Sequence, residues 1–222
     1  MRRIEGTKIE RVSIIDDDPT NRDGYRLQVE DAELTPVVEA GPFWTLDSCV
    51  SQVKSSQAVL SDYKLRVKKF ADFNGAELVA ALYDKRKPAV LCTRYESMEM
   101  EHIRPYRSRI PALLRPDELD GDSFIAALAQ CIGEFQDRFV QARKGWRAVI
   151  QIEDVRTEPG QSNTVEVSIP SWTSGIVVGL REDEFPADIR PELKEGNRLY
   201  AKVNTGAERI EELYFCDWER YA

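Results

Sequence analysis

The sequence predicts two domains of different class: a five-stranded parallel α/β domain over residues 1–142, then a small, mostly-β, barrel-like domain over residues 143–222. Three observations predict this. Short, nearly all-apolar runs alternate with helix-length segments through the first part, as in a parallel sheet covered on both faces. Past Arg143 the helical periodicity stops and short alternating segments take over. Turn signals then separate those segments: Pro159-Gly160, Glu195-Gly196 and Asn204-Thr205-Gly206.

In chain order, Val12 to Ile15 is a first strand that stops at Asp16-Asp17-Asp18-Pro19, and Thr20 is placed to cap a helix through Tyr25, Leu27 and Val29. Leu34 to Val38 reads as a second strand and Phe43 through Leu46, Val50 and Val53 as a helix. Ala58 to Asp62 is a third strand, ending on an acid. Gly75 to Tyr83 is a short helix, Pro88 to Thr93 a fourth strand and Ile110 to Leu114 a fifth, closed by Arg115-Pro116. Phe124, Leu128, Cys131, Phe135 and Phe139 recur at the spacing of one buried helix face. Ile125 and Ile132, seven apart, either widen that stripe or form a second apolar strip for self-association. The second domain's strands are expected at Trp146–Val155, Thr164–Ile169, Gly175–Leu180, Arg198–Val203 and Ile210–Phe215, as a small barrel or a strongly bent sheet. Trp172 and Trp218 fit its core better than a partner-binding surface.

Composition narrows the function classes. The chain is 42% hydrophobic and 32% charged, a globular balance, with a net charge of -8. An acidic chain without a concentrated basic face is repelled by nucleic-acid phosphates, so nucleic acid is disfavoured as a partner. Arg2, Arg3, Glu5, Lys8 and Glu10 interrupt any apolar leader, and no apolar run has the length of a membrane span. A cytoplasmic location without membrane contact is expected. Cys49, Cys92, Cys131 and Cys216 are scattered with no C-x-x-C, which suits core residues better than disulfides or zinc ligands. His102 is the single histidine, set among Glu99, Glu101 and Arg104, and reads as solvated.

Ligands of open parallel sheets sit beyond the carboxyl ends of the strands. The polar residues closing strands one, three, four and five are Asp16 with Asp17, Asp62, Thr93 and Arg115, which the fold brings to one edge. Phosphorylation of an aspartate needs parts of these kinds. A carboxylate attacks the phosphoryl group, hard oxygen ligands hold Mg²⁺, and a hydroxyl and a cation hold the phosphoryl oxygens.

Over residues 10–140 this set resembles the receiver domain of two-component response regulators, which has a flavodoxin-like doubly wound fold. Ser13-Ile14-Ile15-Asp16-Asp17-Asp18-Pro19 is similar to the family's first-strand signature, Leu60-Ser61-Asp62 to its third-strand end, and Asn74-Gly75 to the pair that opens its third helix. Leu91-Cys92-Thr93 matches the fourth-strand end and Leu113-Leu114-Arg115-Pro116 the fifth. The resemblance implies Mg²⁺ at Asp16, Asp17 and Asp62, with Asp62 as phosphoacceptor and Thr93 and Arg115 on the phosphoryl oxygens. It also implies a histidine kinase or kinase-like partner, no enzymatic turnover of its own, and a homodimer through the face containing the last helix. Arg115 stands where the family has lysine, Ala112 where it has an aromatic residue, and the stretch from Tyr63 to Asn74, with Lys64, Arg66, Lys68 and Lys69, is longer than usual. Two functions follow: a phosphorylation-controlled regulator acting through its β domain, or an unphosphorylated adaptor that works by docking. Arg115 and Ala112 favour the second, and the set Asp16, Asp17, Asp62 and Thr93 the first.

Overall fold

The computed structural model describes residues 1–94, 97–157 and 162–221. The predicted Pro159-Gly160 turn lies outside them. The chain forms two compact units, one of Met1–Glu96 with Arg109–Phe139, the other of Ser97–Ser108 with Val140–Ala222.

The first unit opens on a hairpin that the sequence reading missed, β1 (Arg2–Ile4) and β2 (Thr7–Ile9). Its turn residues Glu5 and Gly6 both have positive φ, 46° and 80°, as a tight two-residue hairpin turn requires. Ile4 and Ile9 are thereby buried in the core. There follow β3 (Arg11–Ile15), α1 (Pro19–Asp31), β4 (Thr35–Val38), α2 (Leu46–Gln52), β5 (Ala58–Asp62), α3 (Gly75–Asp84) and β6 (Ala89–Cys92). The next helix, α4 (Ser97–Ile103), belongs to the second unit; β7 (Ala112–Leu114) and α5 (Gly121–Phe135) return to the first. The sheet runs β4-β3-β5-β6-β7 with every pair parallel. Counting from β3, that is the order 2-1-3-4-5 of flavodoxin-like doubly wound sheets. The central strand β5 is buried through Ala58, Val59, Leu60 and Ser61, which is why its sequence does not alternate.

Local chemistry sets the helix starts. Asp18, rather than Thr20, caps α1: its carboxylate accepts the Thr20 N–H at 2.8 Å, with Pro19 at the first helical position. Asn74 and Glu77 form a capping box at α3. The predicted helix from Phe43 is shorter; Phe43 instead pairs with Phe70, ring centroids 5.5 Å apart, and its N–H donates to the Phe70 carbonyl.

The last helix corrects two expectations. Phe124, Leu128 and Cys131 are fully buried, but α5 ends at Phe135, and Phe139 lies outside it, 41% exposed. Ile132 is buried at 2% exposure and Ile125 packs partly against the same core, so the two widen the core stripe. Of the two readings of this pair, the wider core stripe is the one observed.

The second unit contains β8 (Trp146–Arg156), β9 (Thr164–Ser168), β10 (Val177–Arg181), β11 (Arg198–Val203) and β12 (Phe215–Arg220). All pairs are antiparallel in the order β10-β9-β8-β11-β12, with β10 and β12 as edges. The strand expected at Ile210–Phe215 starts later, because Ile210–Glu212 is a 3-10 turn. Alternating inward residues, among them Ile150, Ile152, Val165, Val167, Leu199 and Ala201, form a core of their own. Trp172 donates its indole N–H to the Ala207 carbonyl at 2.6 Å, and Trp218 stacks on Phe215 and tilts against Phe185, so both serve this core.

The segment 97–108 is tied into this unit. Arg104 donates to the Gly179 carbonyl at 2.7 Å and lies 3.9 Å from the Glu184 carboxylate. Arg143 donates to the carbonyls of Arg107 (2.7 Å) and Ser108 (3.0 Å), and the Tyr214 hydroxyl donates to the Arg143 carbonyl at 2.8 Å. His102 is exposed on α4, as expected.

Candidate functional site

The parallel sheet brings the C-terminal ends of β3, β5, β6 and β7 to one edge. Asp16 follows β3 directly, and Asp62 is the last residue of β5. Asp16, Asp17 and Asp62 each place a carboxylate oxygen within 4.8 Å of the others'. Thr93 follows β6 and is buried, its N–H donating to the Leu114 carbonyl at 3.0 Å. Arg115 follows β7 and is exposed, its N–H donating to Glu118 Oε2 at 2.9 Å.

The acids are held from their own loops. Asp16 Oδ1 accepts the Asp18 N–H and Asp62 Oδ2 the Lys64 N–H, both at 2.6 Å. Asp16 Oδ2 is buried with no hydrogen-bond partner. A buried carboxylate oxygen without a partner is costly, and here it belongs to a group of three hard oxygen donors. That is the donor set and the unmet demand that Mg²⁺ satisfies, so these residues fit the ion.

Burial, and secondarily the neighbouring carboxylates, push Asp16 up to about 6. Burial first and the Asp16 charge second push Asp62 to about 7. Unfolded aspartates titrate near ~4, so between that pH and about 7 the folded, metal-free protein binds more protons than the unfolded chain. Its stability from these groups is therefore present in mild acid and lost as pH rises through 6 and 7. Calorimetric melting in EDTA is expected to show a falling midpoint from about pH 5 to about pH 8, with Mg²⁺ restoring it at the upper end only. A Mg²⁺ effect of equal size at both pH values would contradict the assignment.

Two participants escaped the sequence reading. Asn21 stands close enough to Asp16 to favour its charged form. Tyr25 is buried beside Cys92, and burial, then Cys92 and the carboxylates, hold the phenol well above its usual pKa. Both lie on α1, four apart, and hence on one face of the helix that starts straight after the acids. That spacing was the available signal.

The long stretch after Asp62 is a fixed element. Tyr63, Leu65, Ala71 and Phe73 are buried, and Val67–Lys69 forms a 3-10 turn. Lys64, Arg66 and Lys69 are exposed, Arg66 pairing with Glu77 at 3.0 Å. The cysteines are free, and Cys49, Cys92 and Cys131 are buried. No helix among the described residues is long and apolar enough to cross a membrane.

No protein-family model matches the chain, and no characterised protein matches it in sequence. Solved structures that resemble its first part are response-regulator receiver domains and related signalling proteins. A receiver domain from Clostridium thermocellum is 12% identical, over 58% of this chain and 98% of its own, at a TM-score of 0.44. A sensor protein from Polaromonas is 20% identical, over 56% and 97%, at 0.42. A response regulator from Burkholderia multivorans is 20% identical, over 55% and 94%, at 0.38. The fold assignment rests on the strand order and on the edge where the acids meet.

Proposed function

We propose that this protein is a receiver-type phosphoacceptor: Asp62 takes a phosphoryl group from a phosphohistidine of a kinase-like partner, and the β unit passes the state on. The observation that carries this reading is the carboxylate cluster at the C-terminal edge, with Asp16 Oδ2 buried and unpartnered. In the transfer, a carboxylate oxygen of Asp62 forms the new O–P bond as the donor's N–P bond breaks. The electron pair leaves on the imidazole nitrogen, which takes a proton from solvent. Asp16, Asp17 and Asp62 would hold Mg²⁺, whose charge, when bound, offsets the repulsion between these carboxylates and the incoming phosphoryl oxygens. Thr93 would donate its hydroxyl to a phosphoryl oxygen, and Arg115 would supply the cation.

The relay is supported by the segment between Thr93 and β7. It starts next to the pocket in sequence, yet residues 97–108 fold into the β unit through Arg104 and Arg143. In this reading, a change at Thr93 reaches the β unit through this segment. Treatment with a small phosphodonor and Mg²⁺ should add one phosphoryl group by intact mass and alter hydrogen exchange across residues 97–108. An unchanged mass would leave the unphosphorylated adaptor; added mass with unaltered exchange in that segment would reject the relay.

A further inference from the structure

The opposite edge of the same sheet holds a second concavity, of about 410 Å³, remote from the acids. Pro88 and Gln57, in its wall, immediately precede β6 and β5, so it lies at the N-terminal ends of the strands. Val50 and Pro88 give it an apolar base, while Leu82, also in its lining, is fully buried. Around this floor stand Lys8, Lys54, Lys85 and Lys87. No acidic residue lines it, in a chain whose net charge is -8.

The cations converge from separate elements: Lys8 from β2, Lys54 from the 3-10 turn after α2, and Lys85 and Lys87 from the end of α3. Among the described residues, Lys8, Lys54 and Lys85 form no ion pair and donate no side-chain hydrogen bond. Lys87 donates to the Val53 carbonyl at 2.6 Å and is half-buried. Lysines at a helix C-terminus are favourable in themselves, which accounts for Lys85 and for Lys54 in the turn that follows α2, but not for Lys8 on β2.

We propose that this groove binds an organic polyphosphate of the nucleoside di- or triphosphate class, its phosphates on Lys8, Lys54 and Lys85 and its ring on the floor of Val50 and Pro88. The volume is that of a small-molecule site, and unpaired ammonium groups are point-charge partners for phosphate. An apolar floor under a cationic rim asks for a ligand that is anionic at one end and ring-like at the other.

The test uses the full chain as Asp62→Asn, in EDTA, so that neither phosphoryl transfer nor divalent metal intervenes. Calorimetric titration with ATP, pyrophosphate and adenosine is compared. ATP should bind, pyrophosphate more weakly and adenosine undetectably, with ATP affinity falling steeply from about 50 to about 300 mM salt. Replacing Lys8, Lys54 and Lys85 with Gln should weaken ATP about 30-fold, as expected for three exposed ion pairs, at an unchanged melting temperature. Pyrophosphate binding as tightly as ATP would overturn the role of the floor. ATP that fails to bind, or that binds the triple variant equally well, would overturn the site.

Discussion

Asp62→Asn protein is expected to take up no phosphoryl group under conditions that label the wild type, the signal falling to background in intact mass. Two properties of the residue lead there. Asp62 is the member of the three-carboxylate cluster that ends the central strand, while Asp16 and Asp17 follow its neighbour β3. Its burial and the Asp16 charge hold it near 7, so at neutral pH without a cation much of it is protonated and a weak nucleophile. Labelling of the wild type should therefore need Mg²⁺ as well as the phosphodonor. Asn is close in shape and can still accept the Lys64 N–H through its amide oxygen, but it offers no anionic oxygen to phosphorus. It also removes one charge from a repelling pair. The metal-free variant should thus melt at or above the wild type at about pH 8, which separates loss of the nucleophile from loss of the fold. Undiminished labelling of a folded Asp62→Asn protein, or label recovered on Asp17, would reject the assignment.

The strand ends that build this pocket were legible because a buried parallel strand is an uninterrupted apolar run, and the polar residue that stops it marks the edge. Val12 to Ile15 before Asp16, and Ala58 to Ser61 before Asp62, are such runs but for the small buried serines Ser13 and Ser61. Less legible was anything decided by which core a residue joins. Ile132 and Ile125 show the right spacing for an exposed strip, yet the helix is wide enough in its apolar face to take both inward. Phe139 continues the period of Phe124, Leu128 and Cys131, but α5 ends first, because spacing alone carries no information on where backbone hydrogen bonding stops. Residues 97–108 sit between two strands of one sheet and fold with the other unit, a choice made by Arg104, Arg143 and their carbonyl partners far along the chain. The hairpin at the start hid behind its charges: only Ile4 and Ile9 of its two strands are buried.

Gly75→Ala is expected to damage fold and site together, lowering stability by about 1–3 kcal/mol, the usual cost of forcing atoms into a packed interior. At roughly 2–4 °C per kcal/mol for a chain of this size, the melting point should fall by several degrees. A Cβ at Gly75 would lie 1.9 Å from the Asp62 carbonyl oxygen, 2.9 Å from its carbonyl carbon and 2.9 Å from Ser61 Oγ. Two of those three atoms are backbone at the end of the central strand, where β3 and β6 hold the chain from both sides. The strand cannot yield cheaply, so the start of α3 must. That movement strains the Gly75 N–H bond to the Tyr63 carbonyl, 2.9 Å long, and the Asn74–Glu77 capping box. Asp62 is the residue the new methyl pushes, so Mg²⁺ affinity and phosphoryl uptake should fall with stability, each by about tenfold or more if the carboxylate shifts by the order of an ångström. Gly24→Ala is the matched control. Gly24 lies inside α1 with nothing within 4 Å of its would-be Cβ, so alanine there should stabilise by about 0.5–1 kcal/mol and leave labelling intact. A Gly75→Ala protein that melts and binds Mg²⁺ like the wild type would show that α3 does not press on Asp62, and the pocket would need another source of its shape.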